Sequence, residues 1–255
     1  MKVEDSVTVI SVNFMTEYFI RDCLDSFRSF YPSLPFIIID NGSEDESTEF
    51  IRSIDGKDNV TAIFNEHNRG HGFGLDQGIR AARTPYVFTI DSDCIVLQGG
   101  FLELMLAEFE ADPLLCALGQ TFEIPEYPEL YPQQSIAHPA AMLLDREKYL
   151  PLRPFEGTSA PTVNTLIAAQ FEHGYHVQSF PEKWTPGTPE FPIDEYIFHV
   201  CLGTRHVRRM RNKPEAELLK AREENRAKTR ELLAVWGIGY NDLPFVSDRE
   251  SKSTG

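Results

Sequence analysis

The chain has 255 residues, 42% of them apolar and 11% aromatic, enough to bury one substantial core and to argue against disorder as its main state. Its 24 Lys and Arg against 39 Asp and Glu give a formal net charge of −15, a surface that repels polyphosphate unless its cations are gathered in one place, so nucleic acid is a poor partner. Four cysteines, Cys23, Cys94, Cys116 and Cys201, have no C-x-x-C spacing, which speaks against a zinc knuckle or a dense disulfide framework and for a reducing compartment.

Met1 to Asp5 lead directly into an alternating apolar stretch, and no run approaches the roughly 18 apolar residues that would span a bilayer. The chain therefore reads as soluble, unprocessed and cytoplasmic. Val7 to Val12 is short and β-branched and reads as a strand. From Thr16 to Phe30, Ile20, Cys23, Leu24 and Phe27 recur at helical spacing. Phe36 to Ile39 is a wholly apolar run, as in a strand covered on both faces, and Asp40-Asn41-Gly42 ends it with turn chemistry. Ser43, with Glu46 three residues on, forms a capping box that predicts a helix from Ser43. A strand at Val60 to Phe64, a Gly-rich helix at Gly72 to Ala82 and a strand at Tyr86 to Ile90 complete an alternation expected of a mostly parallel sheet flanked by helices.

Beyond Gly100 the spacing predicts a helix at Phe101 to Glu110, strands around Cys116 and at Ala141 to Leu144, a helix from Thr162 to His173 capped by Gly174, and a strand at His176 to Phe180. Pro-rich stretches at 124 to 139 and 181 to 192 read as loops over a rigid base, where binding residues gather. Lys213 to Glu231 is dense in charge and reads as a solvated helix held by Leu232, Leu233 and Trp236, either a plain arm or a homodimer contact. The division is thus 1–211 for the main domain and 212–255 for a charged helical extension whose tail, from Ser247, frays. No internal repeat is present.

Three motifs bear on chemistry. Asn68-Arg69-Gly70-His71-Gly72-Phe73-Gly74 lacks the glycine a dinucleotide fingerprint needs, because Leu75 and Gln77 stand there, and no P-loop occurs. What remains is a glycine turn entering a helix, either a tight connection or a phosphate- or sugar-facing N-terminus. Asp91-Ser92-Asp93 follows an apolar strand, where ligands bind in open α/β sheets. Ile95 and Val96 exclude a self-contained calcium loop; a hard divalent ion completed by substrate phosphates fits, and so does a plain acidic turn. His199, between apolar neighbours, reads either as a core histidine or as a ligand.

In sequence order these pieces resemble the family 2 glycosyltransferases of the GT-A fold, over about residues 5 to 210. Val9 to Phe14 looks like the family's first strand and its exit. Ile38-Ile39-Asp40-Asn41-Gly42-Ser43-Glu44-Asp45 is similar to its Asp-Asp-Gly-Ser-x-Asp segment, with Asn41 for the second Asp. Asn68-Arg69-Gly70 with Asp76-Gln77-Gly78 resembles Asn-x-Gly…Asn-x-Gly, with Asp76 departing, and Asp91-Ser92-Asp93 matches the D-x-D.

The resemblance implies an α/β GT-A fold and a metal-dependent transfer of sugar from a nucleoside diphosphate sugar to a hydroxyl acceptor, a glycan, lipid-linked sugar or small molecule. By it, Asn13 and Asp40 contact the nucleoside, Asn68, Arg69 and Gly70 line the donor site, Asp91 meets ribose or metal, and Asp93 holds Mn2+ or Mg2+. His199, ahead of Gly203-Thr204-Arg205, corresponds to a further metal ligand, and Arg205 closes over the diphosphate; Arg69 and Arg80 add charge-assisted bonds, and Arg208, Arg209 and Arg211 form a basic cluster.

The base for inverting transfer is not where the family keeps it. Thr162 and Val163 occupy the Glu-Asp positions ahead of the helix that ends in Gly174-Tyr175, and neither takes a proton. Glu156 is the candidate, with Asp194, Glu195 and His138 as rivals. Because that pair is missing, an inactive nucleotide-sugar-binding protein of the same fold is the alternative. A nucleotidyltransferase is a weaker one, since Asn13-Phe14-Met15-Thr16-Glu17 lacks a basic glycine-rich loop.

Overall fold

The computed structural model describes residues 2–122, 136–158, 161–180, 196–200, 215–235 and 237–246. A short helix, α1 (Val3–Ser6), leads into β1 (Val7–Asn13), α2 (Glu17–Phe30), β2 (Phe36–Asp40), α3 (Glu46–Ile54), β3 (Val60–Phe64), α4 (His71–Ala81) and β4 (Tyr86–Ile90). Then come β5 (Cys94–Val96), α5 (Phe101–Ala111), β6 (Leu115–Phe122), β7 (Ile136–Asp145), α6 (Arg146–Tyr149), α7 (Val163–His173), β8 (His176–Ser179), β9 (Ile197–His199) and α8 (Glu215–Val235).

Seven strands form one sheet in the order β3-β2-β1-β4-β7-β6-β8. The first four run parallel, β7 is antiparallel to both its neighbours, and β8 is parallel to β6. Every residue of β1 and β2 is buried, as their unbroken apolar runs require of strands covered on both faces. Successive side chains alternate between two cores. Val9, Ile38 and Phe88 join α2 and α5 on one face, while Ile10, Ile39 and Val87 join Leu75 and Ile79 of α4 and Leu166 of α7 on the other. This is the mostly parallel, helix-flanked sheet expected of a GT-A domain.

The helix expected from Ser43 begins at Glu46 instead, capped by Asp45, whose side chain accepts from the Ser47 N–H at 3.1 Å. Ser43 is engaged elsewhere: its hydroxyl accepts from the Met15 N–H at 2.9 Å and from the Asn13 amide at 3.0 Å, so the capping box does not form. A second difference concerns 136–139, expected as loop and found at the start of β7. Pro139 is accommodated there because the register between β6 and β7 shifts between Gly119 and Thr121, a bulge that leaves Pro139 without a register partner on β6 while Ile136 and Ala137 stay paired with Phe122 and Thr121.

Neither β5 nor β9 was anticipated. They pair antiparallel as a separate two-stranded sheet, with Cys94 opposite His199. Against it packs a third apolar cluster in which Phe19, Ile95, Phe198 and Val200 meet Leu233, Leu243 and Phe245. The C-terminal helix, observed at Glu215–Val235, therefore holds the main body through Leu233 and the turn that follows it; Trp236 lies outside the described residues. Among the described residues, no helix is long and apolar enough to cross a membrane.

Candidate active site

The chemistry-bearing residues collect at the carboxyl ends of β1, β2 and β4. Asn13 and Asp40 are register partners at the ends of β1 and β2, and Asp91 follows β4 directly. The Asp91 N–H donates to the Ala140 carbonyl at 3.2 Å, which fastens the β4 exit to β7, and the Cys94 N–H donates to the Asp91 carbonyl at 3.0 Å, folding the acidic turn back into β5. Since β5 pairs with β9, the turn and His199 arrive on the same side.

His199 Nε2 lies 3.2 Å from Asp93 Oδ1 and 3.6 Å from Asp91 Oδ2, while His71 Nε2 lies 3.4 Å from Asp91 Oδ1. His71 opens α4, behind Gly70, whose φ of 99° only glycine adopts readily. His138 also belongs here: one of its ring nitrogens, an Asp91 carboxylate oxygen and a His199 ring nitrogen all lie within 4.8 Å of one another. Burial lowers the His138 pKa to about 4, with its histidine neighbours adding to the fall and Asp91 and Asp93 opposing it.

The donor set fits a divalent cation. Asp91 Oδ1 is buried without a hydrogen-bond partner, a state a carboxylate oxygen rarely tolerates unless an ion or ligand completes it. The 3.2 Å between His199 Nε2 and Asp93 Oδ1 is close to the roughly 3 Å that separates adjacent ligands of a six-coordinate ion bound at about 2.1 Å. Carboxylate with imidazole suits manganese and its neighbours.

Asn13 and Asp40 are buried and engaged with the protein. The Asn13 amide donates to Asp40 Oδ1 at 3.2 Å and to Ser47 Oγ at 2.8 Å, and its carbonyl oxygen accepts from Thr16 Oγ1 at 2.7 Å. Asp40 Oδ2 accepts from Thr48 Oγ1 at 2.8 Å. Both residues brace the β1 and β2 exits.

Asn41, noted in the sequence as a departure from the family's second Asp but given no role in the site, stitches the glycine turn in place. Its amide donates to Asn68 Oδ1 and to the Gly70 carbonyl, both at 3.1 Å, and its own Oδ1 accepts from the Arg69 N–H at 3.3 Å. Arg69 stacks over the Phe73 ring, 3.4 Å from its centroid. Arg80 is turned to Asp76, its helix neighbour, at 2.9 Å, and not to the acidic pair.

Glu156 stands on the segment that crosses the start of α4, where the Gly72 N–H donates to the Gly157 carbonyl at 2.8 Å. Its side chain is 61% exposed and faces Arg153 at 3.7 Å, so it is not joined to the Asp91 cluster. Arg205, Asp194, Glu195 and the Arg208, Arg209, Arg211 cluster lie outside the described residues, as do the loop stretches 123–135 and 181–195.

Comparison with known proteins is consistent with this geometry. The family model for glycosyl transferase family 2 matches residues 6–182. A poly-beta-1,6-N-acetyl-D-glucosamine synthase of Staphylococcus aureus is 35% identical over 88 residues, 34% of this chain and 21% of the synthase. Across three curated relatives that it matches, the chain spans from 16% to 35% of their length. Among solved structures, the mannosyltransferase PcManGT of Pyrobaculum calidifontis, in complex with GDP-Man and Mn2+, has a TM-score of 0.58 at 21% identity, covering 69% of this chain and 55% of that one. Glucosyl-3-phosphoglycerate synthase of Mycobacterium tuberculosis, with Mn2+, UDP and glucosyl-3-phosphoglycerate, has a TM-score of 0.54 at 16% identity and 70% coverage of both chains.

Proposed function

The chain belongs to glycosyl transferase family 2, and from that membership we propose that it transfers a sugar from a nucleoside diphosphate sugar to a hydroxyl acceptor, with a divalent cation and with inversion at the anomeric carbon. The observation that carries the reading is the convergence of Asp91, Asp93 and His199 at the end of β4, with one Asp91 oxygen left without a hydrogen bond. In this reading those three side chains hold the cation, Mn2+ or Mg2+. A bound cation there would offset the diphosphate's charge, more strongly as the leaving group departs.

Transfer forms a bond between the acceptor oxygen and the anomeric carbon while the bond from that carbon to the diphosphate oxygen breaks. The electron pair leaves with the diphosphate, and the acceptor proton passes to a base. We assign that base to Glu156, because its segment crosses the first turn of α4 next to His71, and because it is solvent-accessible and so free to reach an acceptor. By the family resemblance we assign the nucleoside side of the site to Asn13 and Asp40, which brace its floor from beneath, the phosphate side to Asn68, Arg69 and Gly70, and a diphosphate-binding role to Arg205. Cys23, Cys94 and Cys116 are buried, and the wide spacing of the cysteines in the sequence supports work in a reducing compartment, the cytoplasm or the inner membrane face.

A second reading, donor binding without turnover, is favoured by one feature: Thr162 is buried and its hydroxyl donates to the Ala137 carbonyl at 2.9 Å, a structural role at a position where the family resemblance expects an acid. One assay separates the two. Purified protein with Mn2+ and a panel of nucleotide sugars is expected to release nucleoside diphosphate from one of them. Release from none and binding of none by calorimetry sinks the transferase; binding without release leaves the inactive form.

A further inference from the structure

Thr16 stands at the N-cap of α2, where a threonine hydroxyl ordinarily accepts from an N–H of the first helical turn. Its carbonyl starts the helix, accepting from the Ile20 N–H at 3.0 Å, but its side chain makes no capping bond. The side chain is buried and turned inward instead: Oγ1 lies 2.7 Å from Asn13 Oδ1 and 3.0 Å from Ser92 Oγ, in the middle of the acidic turn.

The directions of these bonds follow from the groups themselves. The Asn13 amide nitrogen donates to Asp40 Oδ1 at 3.2 Å, which leaves Asn13 Oδ1 facing Thr16. That oxygen can only accept, so the single hydroxyl proton of Thr16 goes to it, and at its other contact Thr16 Oγ1 accepts from the Ser92 hydroxyl. The result is a one-way chain from Ser92 through Thr16 and Asn13 to Asp40, across the exits of β4, β1 and β2, and each bond in such a chain polarises the next.

The backbone is bent to make this crossing. Met15, next to Thr16, has a φ of 56°, in the left-handed region that side chains avoid, and its N–H is held by Ser43 Oγ at 2.9 Å. Two neighbouring residues thus give up local preferences, one a relaxed backbone and the other a helix cap. What both changes produce is a tie between the β1 exit and the acidic turn.

Both ends of that tie serve one ligand in the transferase reading. The nucleoside lies on the Asn13 and Asp40 side while the diphosphate meets the cation at Asp91 and Asp93, so the two half-sites must keep a spacing set by the covalent length of the nucleotide. A binding constellation has to be held within about 0.5 Å of its productive geometry. We propose that Thr16 is a positioning residue that holds the acidic turn in register with the nucleoside floor, through Ser92 on one side and Asn13 on the other, and so sets affinity for the whole nucleotide and not for the cation alone. The proposal rests on the transferase reading given above.

The test uses the full chain. Binding of Mn2+ alone is followed by electron paramagnetic resonance, binding of UDP and GDP at saturating Mn2+ by calorimetry, and folding by circular dichroism. Thr16→Val keeps the shape of the side chain and removes its hydroxyl. It is expected to keep its Mn2+ affinity within about twofold and to weaken nucleoside diphosphate binding about fivefold or more, the scale of one buried hydrogen bond. Thr16→Ser, which retains the hydroxyl, is expected to bind the nucleotide within about twofold of the wild type. Ser92→Ala cuts the chain from its other end and is expected to weaken nucleotide binding too, with the double variant no weaker than Thr16→Val alone, because both changes remove the same link. Should Thr16→Val fail to fold, Ser92→Ala set against Thr16→Ser carries the same decision. Unchanged nucleotide affinity in Thr16→Val or Ser92→Ala, additive losses in the double variant, no rescue by serine, or a parallel loss of Mn2+ binding overturns the proposal. If the wild type binds Mn2+ but neither UDP nor GDP, the transferase reading falls and this assignment with it, a result distinct from a variant-specific effect.

Discussion

Asp93 Oδ1 stands 3.2 Å from His199 Nε2 because the residue following Asp93, Cys94, is the register partner of His199 in the β5–β9 pair. The contact is therefore a property of the backbone, set before any cation arrives. Asp93→Asn keeps the shape of that side chain and removes its charge, so it is expected to abolish Mn2+ binding at concentrations that saturate the wild type while leaving the thermal midpoint within a few degrees. Paramagnetic resonance and circular dichroism check the two halves; normal Mn2+ uptake by the variant would remove Asp93 from the site.

The same pairing depends on the C-terminal segment. Phe198 and Val200, which flank His199, share an apolar cluster with Leu243 and with Phe245, itself only 2% exposed. Phe245→Ala is expected to cost about 3 to 5 kcal/mol and, by loosening β9, to weaken Mn2+ binding as well. Leu166→Ala, a buried truncation on the opposite face of the sheet, serves as the control: it is expected to lower stability but not cation affinity. Equal loss of affinity in both variants would mean that general destabilisation, not the latch, is being read.

The parts of this architecture that were legible in the sequence are those with strong local signals. Val7 to Val12, Phe36 to Ile39 and Tyr86 to Ile90 are apolar runs bounded by turn residues, and Asp91-Ser92-Asp93 could be placed at a strand tip from that pattern alone. The three-residue strands β5 and β9 have no such signal, since their pairing is nonlocal and contributes little to periodicity. Ser43 misled because a capping box is a local motif, whereas Asn13 and Met15, distant in sequence, compete for the same hydroxyl. His138 read as loop because Pro139 argues against a strand, and only a bulge, which sequence does not announce, reconciles the two.

Stability should fall on mild acidification for a reason that can be traced to one group. His138 is held neutral, with a pKa of about 4, by burial and by its neighbours His199 and His71, against the pull of Asp91 and Asp93, while in the unfolded chain it titrates near about 6.5. Between those values the unfolded state takes a proton that the native state refuses, so the native state loses stability as pH drops from about 6.5 towards about 4, by about 2 to 3 kcal/mol. Urea midpoints of the metal-free protein across that window are expected to decline less steeply in His138→Gln. Parallel profiles for the two proteins would refute the assignment.

Gly72 is required by close approach. A Cβ there would stand 2.6 Å from the Glu156 backbone nitrogen and 2.8 Å from its Cα, whereas at Gly74 the nearest atoms are the side-chain methyls of Val12 at 2.9 and 3.0 Å. Backbone cannot yield as a methyl can, so Gly72→Ala is expected to cost about 1 to 3 kcal/mol, more than Gly74→Ala, and to displace the Glu156 segment. Limited proteolysis within 153–158 reports the displacement, and a Gly72→Ala protein as resistant as the wild type would count against it.

Asn41 occupies the position where the family resemblance leads one to expect aspartate, and its amide makes the difference physical. The amide nitrogen donates to Asn68 Oδ1 and to the Gly70 carbonyl, both at 3.1 Å, and the residue is 1% exposed. Aspartate offers no donor: Asn41→Asp would set a buried carboxylate oxygen against the Gly70 carbonyl and Asn68 Oδ1, leaving that oxygen without a partner, while the Gly70 carbonyl keeps the Gly74 N–H at 3.3 Å and Asn68 Oδ1 keeps the Gly70 N–H at 2.8 Å. The expected cost is about 2 to 4 kcal/mol at neutral pH, with loss of order in the Asn68 to Gly70 turn that leads to His71. Protonating the new carboxyl restores one donor, so the deficit relative to the wild type is expected to shrink as pH falls. Denaturant midpoints of both proteins at neutral and mildly acidic pH measure this directly, and a variant as stable as the wild type at neutral pH would show that the turn does not depend on the amide.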